Sequence, residues 1–186
     1  MIKFTMREYK SQTKEIILTT TIDTPLGQMF AAASKKGIVM LCYFTPFNIE
    51  ARIDILKKSF DTDIIPSECE YFDMLRTQLE EYFNKQRTSF ELPMQLVGST
   101  FQIQVWKELL NIPYGNKQSF SSFASKIDVL NTPRATQKAI ESPLAQNMLN
   151  IIVPCHRIQK DDGSQNIYAG GDKAKEFLLD LESKRA

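Results

Sequence analysis

Cysteine, histidine and arginine stand in succession at Cys155-His156-Arg157, delivered by the run Asn150-Ile151-Ile152-Val153-Pro154. A thiol attacks as the thiolate, which forms near neutral pH only when a base or positive charge lies beside it. His156 is the one histidine of the chain, so it is the only imidazole that can take the proton. Adjacent side chains of an extended segment point to opposite faces. A Cys155–His156 hydrogen bond therefore needs a turn, or a water between the two groups. That speaks against a protease-type dyad, whose partners come from distant segments. Taken singly, a cysteine is usually a small buried apolar residue, and a lone histidine an ordinary hydrogen-bonded one. Their adjacency is what points to chemistry.

The elements around this string divide the chain. Residues 16–23 are β-branched and read as a strand, Pro25-Leu26-Gly27 as a turn, and QMFAAAS as a returning strand. Gly37 precedes a third apolar run, IVMLCYF, so an antiparallel meander is expected. Ile49, Ile53 and Leu56 predict a helix over 49–59, and Tyr71/Phe72, Leu75, Leu79 and Tyr82/Phe83 predict a clearer one over 68–86. Periodicity fails over 87–100, which contains Pro93 and Gly98, and a domain boundary is placed there, giving domains 1–92 and 93–186. Beyond it, FQIQVWKELLNI predicts a helix with Phe101, Val105 and Leu109 on one face, stopped by Pro113-Tyr114-Gly115. SFSSFASKI predicts another, with Phe120, Phe123, Ala124 and Ile127 inward. Thr132-Pro133 reads as an N-cap with proline at the first helical position, starting a short helix ended by Pro143. Two short helices joined by a brief turn fit a helix-turn-helix, as they also fit a plain helical hairpin.

Composition is that of an ordinary globular protein, with 42% hydrophobic and 24% charged residues among 186. The net charge is +1, and the residues after 93 lean basic by two charges, which permits a local DNA-binding patch without arguing for one. No segment approaches the length of a signal core or membrane span. Three scattered cysteines with no secretion signal suggest free thiols in a reducing cytoplasm. With one histidine they make no closely spaced zinc motif, so neither metal nor cofactor is expected.

Read as a whole, the chain resembles the O6-alkylguanine-DNA alkyltransferases (methylated-DNA–protein-cysteine methyltransferases). The resemblance lies in an ordered set: DTPLG at 23–27, FQIQVW at 101–106, IPYG at 112–115, the serine-rich helix, PCHRI at 154–158 and YAGGDKAKEFLLDLE at 168–182. It implies an α+β fold, with an N-terminal ribonuclease-H-like antiparallel sheet carrying helices and a C-terminal helical domain with a helix-turn-helix. It implies DNA repair in which Cys155 takes the alkyl group from O6-alkylguanine in double-stranded DNA, once, as a thioether that nothing in the chain removes. His156 would deprotonate Cys155 through a water, and Glu182 would orient His156. Asn147 would brace the turn between the recognition helix and the active-site strand, and Tyr168 would hydrogen-bond the flipped guanine. Ala169, standing where the family often has serine, Gly170 and Ile158 would line the substrate pocket. Ser119, Phe120, Arg134, Lys138 and Arg157 would meet DNA. A cytoplasmic monomer is expected.

Two departures fall on the parts that extract the base. Lys138 occupies the place of the family's intercalating arginine, and lysine neither stacks nor forks as arginine does. Phe120 replaces a tyrosine set against the phosphate, and Arg134 stands four residues before Lys138 as a partial substitute. Slower reaction with duplex DNA than in other members follows, and Lys138→Arg is expected to speed it. The zinc ligands of some relatives and a second acceptor domain are lacking. The alternatives are a non-catalytic alkylguanine-lesion-binding protein, disfavoured because the acceptor cysteine is kept, and a helix-turn-helix regulator using Cys155 as a sensor.

Overall fold

The computed structural model describes residues 4–7, 16–44, 46–129, 137–162 and 168–183, with 4–7, 46–48, 128–129 and 137–138 described by backbone alone. Its contacts gather into two compact units, residues 1–100 and 101–186.

The first unit is built on six strands. After β1 (Phe4–Arg7), the meander expected from sequence is present as β2 (Ile17–Thr24), β3 (Gly27–Ser34) and β4 (Gly37–Tyr43), antiparallel throughout. Every residue of β4 is buried, as its unbroken apolar run requires of a central strand covered on both faces. Helix α1 (Pro46–Phe60) buries Ile49, Leu56 and Phe60. Then β5 (Ile64–Pro66) joins β2 in parallel. Helix α2 (Glu70–Phe83) packs on β2, β3 and β4 through a face that includes Phe72, Leu75 and Leu79. Gln78 on the same face donates to the Glu91 carbonyl at 2.8 Å and accepts from the Glu91 amide at 2.7 Å, pinning the chain that returns to the sheet.

That return is β6 (Met94–Val97), parallel to both β1 and β4, so the sheet runs β1-β6-β4-β3-β2-β5 and is mixed around an antiparallel centre. Gly37 permits this join. Its φ is +129°, and a Cβ there would lie 2.3 Å from the Pro93 carbonyl oxygen, which instead accepts from the Ile38 amide at 2.9 Å. Residues 94–97 therefore belong to the first unit's sheet, and the units divide at 100/101 where the sequence suggested 92/93. A four-residue strand among Pro93 and Gly98 shows too little periodicity to be read.

The second unit opens with α3 (Thr100–Leu110), burying Ile103, Val105, Trp106 and Leu109. β7 (Gln118–Ser119) leads directly into α4 (Phe120–Val129), whose Phe120, Phe123 and Ile127 are buried. α5 (Gln137–Ala145) contains Pro143 and runs two residues beyond it, where the sequence placed the helix end at that proline. Proline removes one amide bond without ending the last turn, and its carbonyl accepts from the buried Trp106 Nε1 at 2.8 Å, tying α5 to α3. The Thr132-Pro133 cap lies outside the described residues. β8 (Ile158–Gln159) pairs in parallel with β7, and α6 (Gly171–Ser183) closes the unit. Among the described residues no helix is long and apolar enough to cross a membrane.

Candidate active site

The segment from α5 to β8 is a chain of turns, where an extended run was expected. Ile151 has φ +73°, a left-handed conformation that a β-branched residue adopts only under constraint. The constraint is local. Val153 donates its amide to the Leu149 carbonyl at 2.8 Å, and the fully enclosed Asn147 spans the loop. Asn147 Oδ1 accepts from the Leu149 amide at 2.9 Å, while Nδ2 donates to the Val153 carbonyl at 2.9 Å and to Cys155 Sγ at 3.2 Å. Pro154 follows with φ −85° and ψ 60°, and the Cys155 amide closes on the Val153 carbonyl at 2.9 Å. This is an inverse γ-turn, for which the proline ring sets φ in advance. Cys155, His156 and Arg157 then form one 3₁₀ turn, all buried. Its outlet β8 pairs with β7, so the same two short strands fix the start of α4 relative to Cys155.

Around that turn the polar groups converge on Glu182, near the end of α6. His156 Nε2 lies 2.9 Å from Glu182 Oε1. Arg157 Nη2 donates to Oε1 and Nε to Oε2, each at 2.9 Å, and the Gly115 amide donates to Oε2 at 3.2 Å. Burial alone would raise the carboxyl, but hydrogen bonds and charge from His156 and Arg157 outweigh it and hold the pKa at about 2. An ionised carboxylate only accepts, so Nε2 of His156 is the donor and carries the ring proton. His156 is fully enclosed, and burial pulls its pKa below the usual 6.5. Glu182 opposes that shift, and Arg157 and Lys175 add to it. Among the described residues His156 Nδ1 has no hydrogen-bond partner. The imidazole is thus neutral, with a lone pair to offer at Nδ1. The Tyr168 ring, also buried, packs edge-on against it at 6.0 Å between centroids.

Family models match most of the chain. Residues 17–96 match the 6-O-methylguanine DNA methyltransferase ribonuclease-like domain, and residues 100–184 match the DNA binding domain of the same family. The chain belongs to the 6-O-methylguanine DNA methyltransferase family. A methylated-DNA–protein-cysteine methyltransferase of Methanosarcina barkeri is 35% identical over 161 residues, covering 87% of this chain and 94% of that one. The inducible enzyme of Bacillus subtilis is 31% identical over 155 residues, covering 83% and 84%. Among solved structures, the Mycobacterium tuberculosis O6-methylguanine methyltransferase superposes with a TM-score of 0.72 at 31% identity, covering 91% of this chain and 94% of that one. Its complex with DNA gives 0.70 at 30% identity, covering 90% and 92%.

Within this family member the residues singled out from sequence take distinct places. Asn147 is hydrogen-bonded to Cys155 and Glu182 to the adjacent His156, with Tyr168 against the His156 ring. Ala169 and Gly170 are half-buried just before α6, and the Ile158 side chain is fully buried in β8. Ser119 is half-buried, and its hydroxyl caps α4 by accepting from the Ser122 amide at 3.3 Å. Phe120 is 5% exposed, so its ring packs inside the unit rather than standing on the surface. Arg157, expected to meet DNA, has its guanidinium forked on Glu182 and bonded to the Ile112 carbonyl. Arg134 and the Lys138 side chain lie outside the described residues.

Four contributors escaped sequence reasoning. Gly115 was read only as a helix stop. Its φ is +77°, and a Cβ there would approach the Glu182 carbonyl oxygen to 3.0 Å, so the glycine allows its amide to reach the carboxylate. Lys175 is buried on α6 and donates to the Ile158 carbonyl at 2.7 Å. Burial lowers its pKa, while the nearby Cys155 and Asp172 push it back up. The signal was available, because Lys175, Leu178, Leu179 and Glu182 share one helical stripe and charge on an apolar stripe is informative. Asn150 is fully buried, and among the described residues neither of its amide atoms has a hydrogen-bond partner. Asp161 accepts from the Ser121 amide at 3.2 Å and from its hydroxyl, placing a carboxylate at the start of α4. Among the described residues no group of His, Cys, Asp and Glu is placed to hold a metal ion.

Proposed function

We propose that Cys155 of this DNA repair methyltransferase takes the alkyl group from O6-alkylguanine in double-stranded DNA directly and keeps it. The observation that carries this reading is the buried 3₁₀ turn in which Cys155 is followed directly by His156, whose neutral imidazole is held by the ionised Glu182 carboxylate. His156 Nδ1 receives the thiol proton through a water. Asn147 Nδ2, donating to Sγ, and the ammonium of Lys175 stabilise the resulting negative charge. The sulfur attacks the carbon bonded to O6, the S–C bond forms as the C–O6 bond breaks, and the electron pair stays with the departing guanine. The base regains its N1 proton, so the thiol proton is balanced by the product. The thioether has no route back, and the protein reacts once.

Tyr168 contacts the extracted guanine, with Ala169, Gly170 and Ile158 around it. Ser119, the α4–α5 pair, Arg134 and Lys138 serve the duplex. Extracting the base costs a few kcal/mol of unstacking, which Lys138 supports less well than arginine. The second domain carries acceptance and DNA binding, the first supports it, and the protein works as a monomer in the cytoplasm.

Incubation with a duplex oligonucleotide containing O6-methylguanine tests the reading. Intact-mass measurement and peptide mapping should find one methyl per chain, on Cys155, and none in Cys155→Ala. Tight binding to the lesion without transfer would make the protein a lesion sensor, and preference for an undamaged sequence a regulator. Either result overturns the proposal.

A further inference from the structure

The Glu182 carboxylate holds more partners than orienting a histidine requires. Arg157 takes both of its oxygens at 2.9 Å, and the third guanidinium nitrogen, Nη1, donates to the Ile112 carbonyl. The Gly115 amide fills the remaining position on Oε2. His156 is 0%, Glu182 3% and Arg157 8% exposed, so the whole cluster is out of water. A planar fork of this kind is available to arginine and not to lysine.

We propose that Arg157 is a positioning residue for alkyl transfer: by neutralising and orienting Glu182, it keeps His156 a neutral base with its proton on Nε2 and its lone pair on Nδ1. The inference rests on the acceptor role of Cys155 proposed above. Without the guanidinium, a buried carboxylate whose only charged or titratable neighbour in the cluster is the imidazole favours the imidazolium, because an opposite charge at hydrogen-bond distance stabilises the charged ring. An imidazolium carries protons on both nitrogens and cannot accept the one on Cys155. With Arg157 in place the carboxylate charge is already balanced, and a further proton on His156 would leave a buried net positive charge.

The other groups facing the ring act in the same sense or are neutral. Lys175, from α6, adds positive charge that opposes protonation, and Tyr168 presents its ring edge. Donors surround Glu182 on both oxygens, so the proton in the His156–Glu182 hydrogen bond belongs to Nε2. The proline turn and the 3₁₀ turn hold Cys155 and His156 together, and Arg157, one residue on, sets the charge state of that pair.

His156 is the single histidine, so nitrogen-detected NMR of the ring reports one residue without assignment. In the native protein at pH 7 the ring should be the neutral Nε2–H tautomer, titrating only below the usual 6.5. In Arg157→Met the titration should move up by about one pH unit or more, the effect of an uncompensated charge at this distance. The acid limb of single-turnover methyl transfer should follow it, losing about tenfold in rate per pH unit below the limb. Arg157→Lys, which keeps the charge without the fork, should fall between.

An unchanged titration in a folded Arg157→Met protein overturns the proposal, whatever happens to the rate. So does weaker, less salt-dependent duplex binding with the titration unmoved, which would return Arg157 to a DNA-contacting role. If Arg157→Met does not fold, native His156 found protonated above pH 6.5 or carrying its proton on Nδ1 overturns it equally. The NMR readout needs no DNA, so its failure is distinct from a failure of alkyl transfer.

Discussion

Replacing Glu182 by glutamine tests the electrostatic core of the site, and its cost can be worked from the structure. The carboxyl lies at about 2 in the folded protein against a usual 4.5. That difference corresponds to about 3 kcal/mol of folding stability. A depressed acid stabilises the fold above its unfolded pKa, so the contribution is complete above pH 4.5 and disappears as pH falls towards 2. Glu182→Gln also leaves the buried Arg157 guanidinium without its charge partner, and breaking such a pair costs roughly 3–5 kcal/mol at neutral pH. The two figures describe the same loss from opposite sides. Urea unfolding followed by the fluorescence of Trp106, the single and fully buried tryptophan in α3, reports on the second unit. The native protein and the Glu182→Gln variant should differ by about 3 kcal/mol or more at pH 7. The gap should close between pH 4.5 and 2, where the unfolded chain's carboxyl takes up a proton that the native one still refuses. A gap that stays constant through that window would show that Glu182 is not the depressed, charge-paired group described here, and the protonation of His156 inferred from it would fall as well.

Asn150 offers the converse case: two buried amide atoms without partners among the described residues cost stability, so Asn150→Leu, close in volume, should raise it by about 1–3 kcal/mol in the same unfolding assay. A loss of stability would mean that the amide is satisfied in solution. Asp161→Ala removes the carboxylate that receives Ser121 at the start of α4 and should lower stability by about 1 kcal/mol. The same change should tighten duplex binding at low salt by removing a negative charge beside Ser119. Weaker binding would place the DNA elsewhere.

The three-stranded meander was legible because β2 to β4 are long and follow each other closely, and so were the amphipathic helices α2, α3 and α4. The parallel additions were not. β5 and β6 have three and four residues, too few for a period to show, and their partners are distant in sequence. At the site, Cys155 and His156 announced themselves by adjacency, whereas Glu182 stands 26 residues beyond His156 and came only from the resemblance. Arg157 was assigned to DNA because a sequence displays a charge without its direction. The 3₁₀ turn and a carboxylate waiting inside the unit decided the direction. Gly115 looked like punctuation because nothing local reveals that a carboxylate from α6 will lie against its amide.

The position of Glu182 also has a consequence for how the protein comes into being. Chains emerge and fold from the N-terminus, so the nucleophile and its histidine are made well before the carboxylate that readies them. Until α6 docks, Cys155 is a thiol beside an imidazole that nothing orients. Reactivity thus waits for α6, and a chain whose synthesis stalls before α6 carries the cysteine without the means to use it.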